Sequence, residues 1–108
     1  MLSGYRIMWS LVMFDLPMGT RRERRAYTRF RNFLLDEGFE QAQLSVYMRF
    51  FGGREAVEAQ IKRIRKNLPG TGRVHILTIT DKQFGDMVCF TGNERDSAPQ
   101  QPEQLTLL

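Results

Sequence analysis

Apolar runs and helical repeats alternate along most of this chain. The first run, over residues 5–14, is nearly continuous from Ile7 onward and is interrupted only by Ser10. Such a run is typical of a strand buried on both faces in the centre of a sheet. Pro17 and Gly19 then end the extended segment. We therefore predict a central first strand.

A helix is predicted directly after this strand. Thr20 and Glu23 match a capping box, in which the threonine side chain caps the helix and the glutamate reaches back to the threonine amide. Gly38 supplies the left-handed stop. Between them, apolar residues recur at helical spacing and form one core face. These residues are Ala26, Phe30, Phe33 and Leu34.

The remaining elements complete a two-layer pattern. Residues 39–51 are rich in aromatic and β-branched types and predict one bent strand, or a tight strand pair broken near residues 43–45. A second helix is expected over residues 54–68, a strand over 74–80, a turn over 81–86 and a short last strand over 87–90. This order predicts an α+β fold: a ferredoxin-like βαββαβ sandwich with both helices on one face of an antiparallel sheet, and one strand to spare.

The chain changes character at residue 93. Residues 93–108 are polar, contain two of the four prolines, and predict a flexible tail after a folded domain over residues 1–92. The tail ends on the apolar residues Leu105, Leu107 and Leu108. These leucines are either a frayed terminus or a partner-binding segment that adds a strand to the exposed sheet edge of another protein.

Positive charge is concentrated in the predicted domain. Residues 1–80 carry 14 Lys and Arg against 7 Asp and Glu, whereas residues 81–108 carry 2 against 5. Thirteen of the sixteen cations are arginine, whose planar fork suits bidentate phosphate contact. The start of the first helix gathers four of them, Arg21, Arg22, Arg25 and Arg29. Cations there oppose the helix dipole unless an anion binds, so they predict a nucleic-acid-binding face; a solvated helix face is the alternative.

Asp15 stands at the exit of the first strand, a few residues before these arginines. A carboxylate followed by Leu16 and Pro17 is by itself an ordinary turn initiator. Mg²⁺ accepts one or two protein carboxylates and completes its shell with water and phosphate oxygens, so a symmetric dimer that pairs two Asp15 side chains could hold it. Such a metal would polarise a phosphodiester. Asp15 is therefore the candidate metal ligand and catalytic residue.

Single copies of histidine and cysteine limit other chemistry. His75 is the sole histidine and is expected to be a packed or solvated strand residue, so neither a zinc site nor a Ser-His-Asp triad is expected within one protomer. Cys89 is the sole cysteine, which excludes an intrachain disulfide and favours a reducing cytoplasm. The N-terminal apolar run lacks a cleavage site and is shorter than the roughly 20 residues of a membrane span, so no membrane partner is expected.

The most specific motif is the run QLSVY at residues 43–47, which matches a Q-x-S-V-aromatic pattern. Together with Asp15, the pair Arg22 and Arg25, and Gly38, it makes residues 7–92 resemble the CRISPR-associated protein 2 family, the small partner of the CRISPR integrase in spacer acquisition. The run TDKQF at residues 80–84 resembles the version found with type II systems. Residues 48 and 49 depart from the acidic residue and glycine that often follow the aromatic residue in this family.

This resemblance implies a homodimer whose last strand pairs with the sheet of the other protomer and so accounts for the extra strand. It also implies that two CRISPR integrase dimers flank this dimer while double-stranded protospacer DNA lies across the arginine face, held by its backbone. Family members are also described as metal-dependent nucleases, which implies a catalytic role with Mg²⁺ for Asp15.

Three functional hypotheses follow from the residues and the resemblance. The first is a non-catalytic homodimeric scaffold that binds protospacer DNA and bridges integrase dimers for spacer insertion. The second is a Mg²⁺-dependent endoribonuclease or double-strand DNase that uses Asp15 from each protomer. The third is a regulatory module for small anions, which predicts no dependence of binding on duplex length.

Overall fold

The computed structural model describes residues 7–98 of the 108-residue chain. Its strands are β1 (Met8–Asp15), β2 (Glu40–Gln43), β3 (Val46–Phe51), β4 (Arg73–Thr80), β5 (Cys89–Thr91) and β6 (Glu94–Asp96), and its helices are α1 (Arg21–Asp36), α2 (Arg54–Lys66) and α3 (Asp81–Gly85). The main sheet is antiparallel with the order β2-β3-β1-β4, and β5 and β6 form a separate pair. The predicted α+β, ferredoxin-like fold is confirmed, including the central position of β1.

Strand β1 is buried from both sides of the sheet. It pairs with β3 along one edge and with β4 along the other. Because successive strand side chains point to opposite faces, Val12 and Phe14 pack under the helices while Trp9 packs on the other side. Water is excluded from both sides of these positions, and this explains why the sequence shows a continuous apolar run in place of alternation.

Helices α1 and α2 cover one side of the sheet, called here the helix-covered face. Their buried apolar residues are Tyr27, Phe30, Leu34, Val57 and Ile64. Helix α1 begins with the predicted capping box, since the Glu23 amide donates to Thr20 Oγ1 at 3.1 Å and the Thr20 amide donates to Glu23 Oε1 at 2.9 Å. Gly38 follows the helix with a φ of 90°, as its predicted role requires. Helix α2 ends two residues before the predicted end at residue 68.

A polar network fastens both helices to β3. Gln60 is only 1% exposed; its Nε2 donates to Glu37 Oε1 at 3.0 Å, and its Oε1 accepts from Arg49 Nη1 at 2.8 Å. Arg63 donates to the same two acceptor oxygens, at 2.7 Å to Glu37 and 2.9 Å to Gln60. These bonds from Gln60 and Arg63 hold the pKa of Glu37 below its ordinary value of 4.5. Arg49, a departure from the family pattern, also lies 4.6 Å from the ring centroid of Phe51.

One buried polar atom on this side has no partner. Tyr47 is 0% exposed and its ring stacks on Phe14 with centroids 5.7 Å apart. Among residues 7–98 its hydroxyl finds no hydrogen-bond partner. Ring packing therefore holds this residue, and the hydroxyl contributes no bond.

The opposite side of the sheet, called here the helix-free face, is only partly covered. Trp9 stacks on Phe84 of α3, with centroids 3.8 Å apart and 5° between the ring planes. Trp9 Nε1 also donates to Asp81 Oδ1 at 2.7 Å. Further along this face Leu77 remains 48% exposed. Only one end of the face is therefore packed within the described protomer.

The segment after β4 differs from the sequence prediction. The turn predicted over residues 81–86 is wrong, because Thr80 and Gln83 form a second capping box that starts α3. The last strand lies at Cys89–Thr91 instead of residues 87–90. Residues 94–96, predicted to be flexible tail, form β6 and pair with β5, with Gly92 at φ 60° in the turn between them. Exchange of the last strand into another protomer stays a prediction.

The ends of the chain contain the remaining predicted features. Residues Leu105, Leu107 and Leu108 lie outside the described residues, so their role in partner binding stays a prediction. Across residues 7–98, no helix combines the length and apolarity needed to cross a bilayer.

Candidate nucleic-acid interface

Asp15 is the last residue of β1, and its side chain is exposed. The backbone of Gly72 passes directly beside it: a Cβ at Gly72 would lie 2.4 Å from the Asp15 carbonyl oxygen and 2.8 Å from Leu16 Cδ2. Gly72 also has φ 74°, a conformation that side-chain-bearing residues rarely adopt. Only glycine therefore lets the chain enter β4 this close to Asp15.

This close approach sets the register between β1 and β4. Asp15 lies opposite Arg73, and Met13 lies opposite His75. Alternation along each strand then directs Asp15, Arg73 and His75 to the helix-free face, where diagonal neighbours are about 7 to 8 Å apart. A cavity of about 470 Å³ opens at this end of the face. The polar residues that line it are Asp15, Gln43, Ser45, Arg73 and His75.

The QLSVY motif forms the turn between β2 and β3 that walls this cavity. The Phe14 amide donates to the Ser45 carbonyl at 3.0 Å, and the Tyr27 hydroxyl donates to the Leu44 carbonyl at 3.0 Å. These bonds tie the turn to β1 and α1, and they leave the Leu44 side chain 77% exposed. The predicted strand pair broken near residues 43–45 is confirmed.

The predicted arginine face lies on α1, the next element after Asp15. Its members, Arg21, Arg22, Arg25 and Arg29, are all exposed. At 3.6 residues per turn they share about 100° of the helix surface, away from the core side chains. None of the four forms a side-chain hydrogen bond or ion pair with another residue of the described chain. Their donors therefore face solvent.

Arg24 differs from these four arginines. Its Nη1 donates to the carbonyls of Met18 and Gly19 at 3.2 and 3.4 Å, which closes the loop between Asp15 and α1. This arginine is thus engaged in the local structure, and its omission from the predicted face agrees with its contacts.

Two comparisons with known proteins bear on this arrangement. Residues 8–87 match the model of the family described as CRISPR associated protein Cas2. The chain belongs to this family. A relative named CRISPR-associated endoribonuclease Cas2 from Paracidovorax avenae is 47% identical over 107 residues, covering 99% of each chain. Relatives of the same name from Flavobacterium psychrophilum and Streptococcus mutans are 46% and 44% identical, covering 98% and 84% of this chain and 92% and 83% of their own.

The Cas2 fold in this chain offers a metal ion one carboxylate per protomer. Within residues 7–98 no group of three His, Cys, Asp or Glu side chains is close enough to hold a metal. Asp15 is exposed, has no hydrogen-bond or ion-pair partner in the described chain, and is open to solvent on the side where phosphate would approach. One such oxygen ligand suits Mg²⁺ if a second protomer, water and phosphate supply the rest.

Sequence reasoning did not find Arg73 and His75. His75 is exposed on its strand, in line with the prediction of a solvated strand residue, but its position beside Asp15 was not foreseen. A usable signal was present: residues 73 and 75 share a strand face, and Gly72 precedes them. The missing information was the register that places them against β1.

Proposed function

We propose that this Cas2-family protein is a homodimeric scaffold of CRISPR adaptation in the cytoplasm. It holds a protospacer DNA duplex on the arginine face of α1 and bridges integrase dimers for spacer insertion. The supporting observation is the set of exposed arginines at the start of α1 whose donors find no partner in the described chain. Unpaired guanidinium groups on one helix surface suit the phosphate oxygens of a duplex backbone.

The experiment removes two of these cations together. In Arg22→Ala/Arg25→Ala, duplex binding weakens for every sequence tested, because phosphate contacts carry no base information. The slope of log affinity against log salt concentration falls by about 2, one for each lost phosphate contact. Fluorescence anisotropy with labelled duplexes at several salt concentrations gives both values.

A matched control separates this face from net charge. Lys62→Ala/Lys66→Ala removes two exposed cations from α2 and changes the net charge equally. We expect the control to keep most of the duplex affinity. Equal losses in both double variants would show that charge alone drives binding and would contradict the arginine face.

The helix-free face supports a second copy of the chain as its cover. Leu77 of β4 and Phe90 of β5 are 48% and 64% exposed, and apolar residues of that size are normally covered by a partner when they cluster. In the proposed dimer β5 of one protomer extends the sheet of the other. Sedimentation velocity tests this: Phe90→Ser should shift the protein towards monomer, and an unchanged dimer would contradict the exchange.

Integrase bridging depends on the ends of the chain as well. The tail leucines supply apolar side chains for a partner sheet edge. Removal of residues 103–108 should therefore weaken co-purification with the integrase encoded beside this protein and leave duplex binding intact. Undiminished co-purification would exclude the tail from bridging.

A Mg²⁺-dependent endonuclease is the second candidate, favoured by the placement of Asp15 in the cavity and by the names of the relatives. Asp15 from each protomer would hold the ion, which supplies a polarised phosphodiester and an activated water. Asp15→Asn should abolish cleavage of single-stranded RNA while duplex affinity stays within about twofold. Loss of both activities together would tie Asp15 to binding, against both candidates as stated.

A further inference from the structure

Arg73 and His75 form, with Asp15, a polar end to the cavity on the helix-free face. The three side chains come from two strands distant in sequence and are placed together by the pairing of Asp15 with Arg73. Arg73 and His75 are both exposed, and neither has a side-chain hydrogen bond or ion pair with a described residue. Arg73 in particular forms no ion pair with Asp15, although the two are direct cross-strand neighbours. Its guanidinium is therefore available to a ligand.

The rest of the cavity is apolar and rigid. Met13 and Val46 line it from β1 and β3, and Leu44 lines it from the turn whose carbonyl is held by Tyr27. The volume of about 470 Å³ lies within the range of about 300 to 1,000 Å³ typical of small-ligand sites. Cationic donors beside an apolar wall are the combination that binds the phosphate and base of an unstacked nucleotide. A base inside a duplex cannot reach such a wall.

We infer that this cavity is a subsite for single-stranded nucleic acid, in which Arg73 and His75 hold a phosphate next to Asp15. Arg73 donates from its fork, and a ring N–H of His75 donates to another oxygen of the same phosphate. Both are positioning residues, since they would place the phosphodiester beside the Asp15 carboxylate. This inference rests on the proposal that nucleic acid is the ligand, and it adds a second binding region distinct from the arginine face of α1.

The single histidine gives a direct measurement. The untagged full-length protein contains only His75, so its imidazole C–H signals in a proton NMR spectrum need no assignment. In EDTA, which prevents metal-dependent cleavage, an oligonucleotide of about six nucleotides should shift these signals. RNA and DNA versions are titrated separately and report whether the sugar contributes to the subsite. A blunt duplex should leave the signals in place.

Substitutions give the second measurement. Arg73→Ala/His75→Ala should weaken single-strand binding in EDTA about tenfold while duplex affinity changes less than about twofold. Arg73→Lys, which keeps the charge, should recover part of the loss. Arg54→Ala/Arg73→Lys serves as the matched control, since Arg54 is an exposed arginine at the start of α2 that does not line this cavity. It should bind single strands as Arg73→Lys does.

The outcomes separate this inference from the proposed function. Single strands that bind without shifting the His75 signals, with affinity unchanged in Arg73→Ala/His75→Ala, would overturn the subsite and leave the arginine face intact. A duplex that shifts the signals as strongly as a single strand would also overturn it, because the cavity would then belong to the duplex interface. Failure of the unmodified protein to bind any nucleic acid would overturn the proposed function itself.

Discussion

The two sides of the sheet treat their polar side chains differently. On the helix-covered face, Gln60 and Glu37 accept and donate hydrogen bonds among themselves and the neighbouring arginines, and the network is shut between two helices and β3. On the helix-free face, Asp15 and Arg73 are neighbours yet remain unbonded within the described chain. Burial forces polar groups to pair, since an unpaired buried group costs about 1 to 3 kcal/mol. Water removes that requirement, so polar groups left unpaired at the surface are the ones available to ligands.

The largest expected effect tests how differently the two sides are packed. Leu34 is 0% exposed under the helices, and Leu34→Ala should lower the free energy of unfolding by about 2 to 5 kcal/mol through lost burial and a cavity. Leu77→Ala removes the same atoms from the helix-free face and should cost less than about 1 kcal/mol at protein concentrations low enough to give monomer. Urea unfolding followed by circular dichroism measures both. Similar losses would show that the helix-free face is packed as tightly as the other.

The next effect tests the approach of β4 to Asp15. Gly72→Ala places a methyl group against the Asp15 carbonyl in a left-handed conformation and should cost about 2 to 4 kcal/mol. Gly70→Ala is the matched control: its φ is 85°, but no atom lies within 4 Å of the added Cβ. We expect about 1 kcal/mol there from backbone strain alone. Thermal unfolding of the two variants isolates the steric part, which would be absent if they melted together.

A pair of tyrosines tests the value of hydrogen bonding on each side of the closed core. Tyr47→Phe deletes a buried hydroxyl without a partner in the described chain and should leave stability unchanged or raise it by up to about 1 kcal/mol. Tyr27→Phe deletes the bond to the Leu44 carbonyl and should cost about 0.5 to 1.5 kcal/mol. Chemical unfolding resolves the opposite signs. A loss in Tyr47→Phe would reveal a partner that residues 7–98 do not supply.

The smallest effect is a pH dependence from the closed network. The pKa of Glu37 is lower in the folded protein because Gln60 and Arg63 donate to its carboxylate, so its contribution is complete above the ordinary value of 4.5. That contribution is lost as the pH falls below 4.5 through the folded pKa. The stability difference between wild type and Glu37→Gln should therefore shrink in acid. Glu58→Gln, which removes an exposed carboxylate from α2, should show no comparable trend in unfolding experiments across the same pH range.

Local signals in the sequence predicted most elements correctly. The capping box at Thr20, the glycine stop at Gly38 and the break within the QLSVY motif all depend on residues a few positions apart. The same kind of signal was present at Thr80 and Gln83 but was taken for a turn, because five residues show no helical apolar repeat. The strand at residues 94–96 carries no apolar residue at all and is formed by pairing with β5.

The sequence by itself determined the fold class, the exposed arginines of α1 and the exit of Asp15 from a buried strand. Periodicity, caps and charge are properties of neighbouring residues, and they survive in any arrangement of the elements. Only the tertiary structure decided that Arg73 and His75 stand beside Asp15, and that Arg49 is bound to Gln60. Strand register joins residues nearly sixty positions apart. It is set by the close passage at Gly72 and by the packing of both faces, which no short stretch of the chain contains.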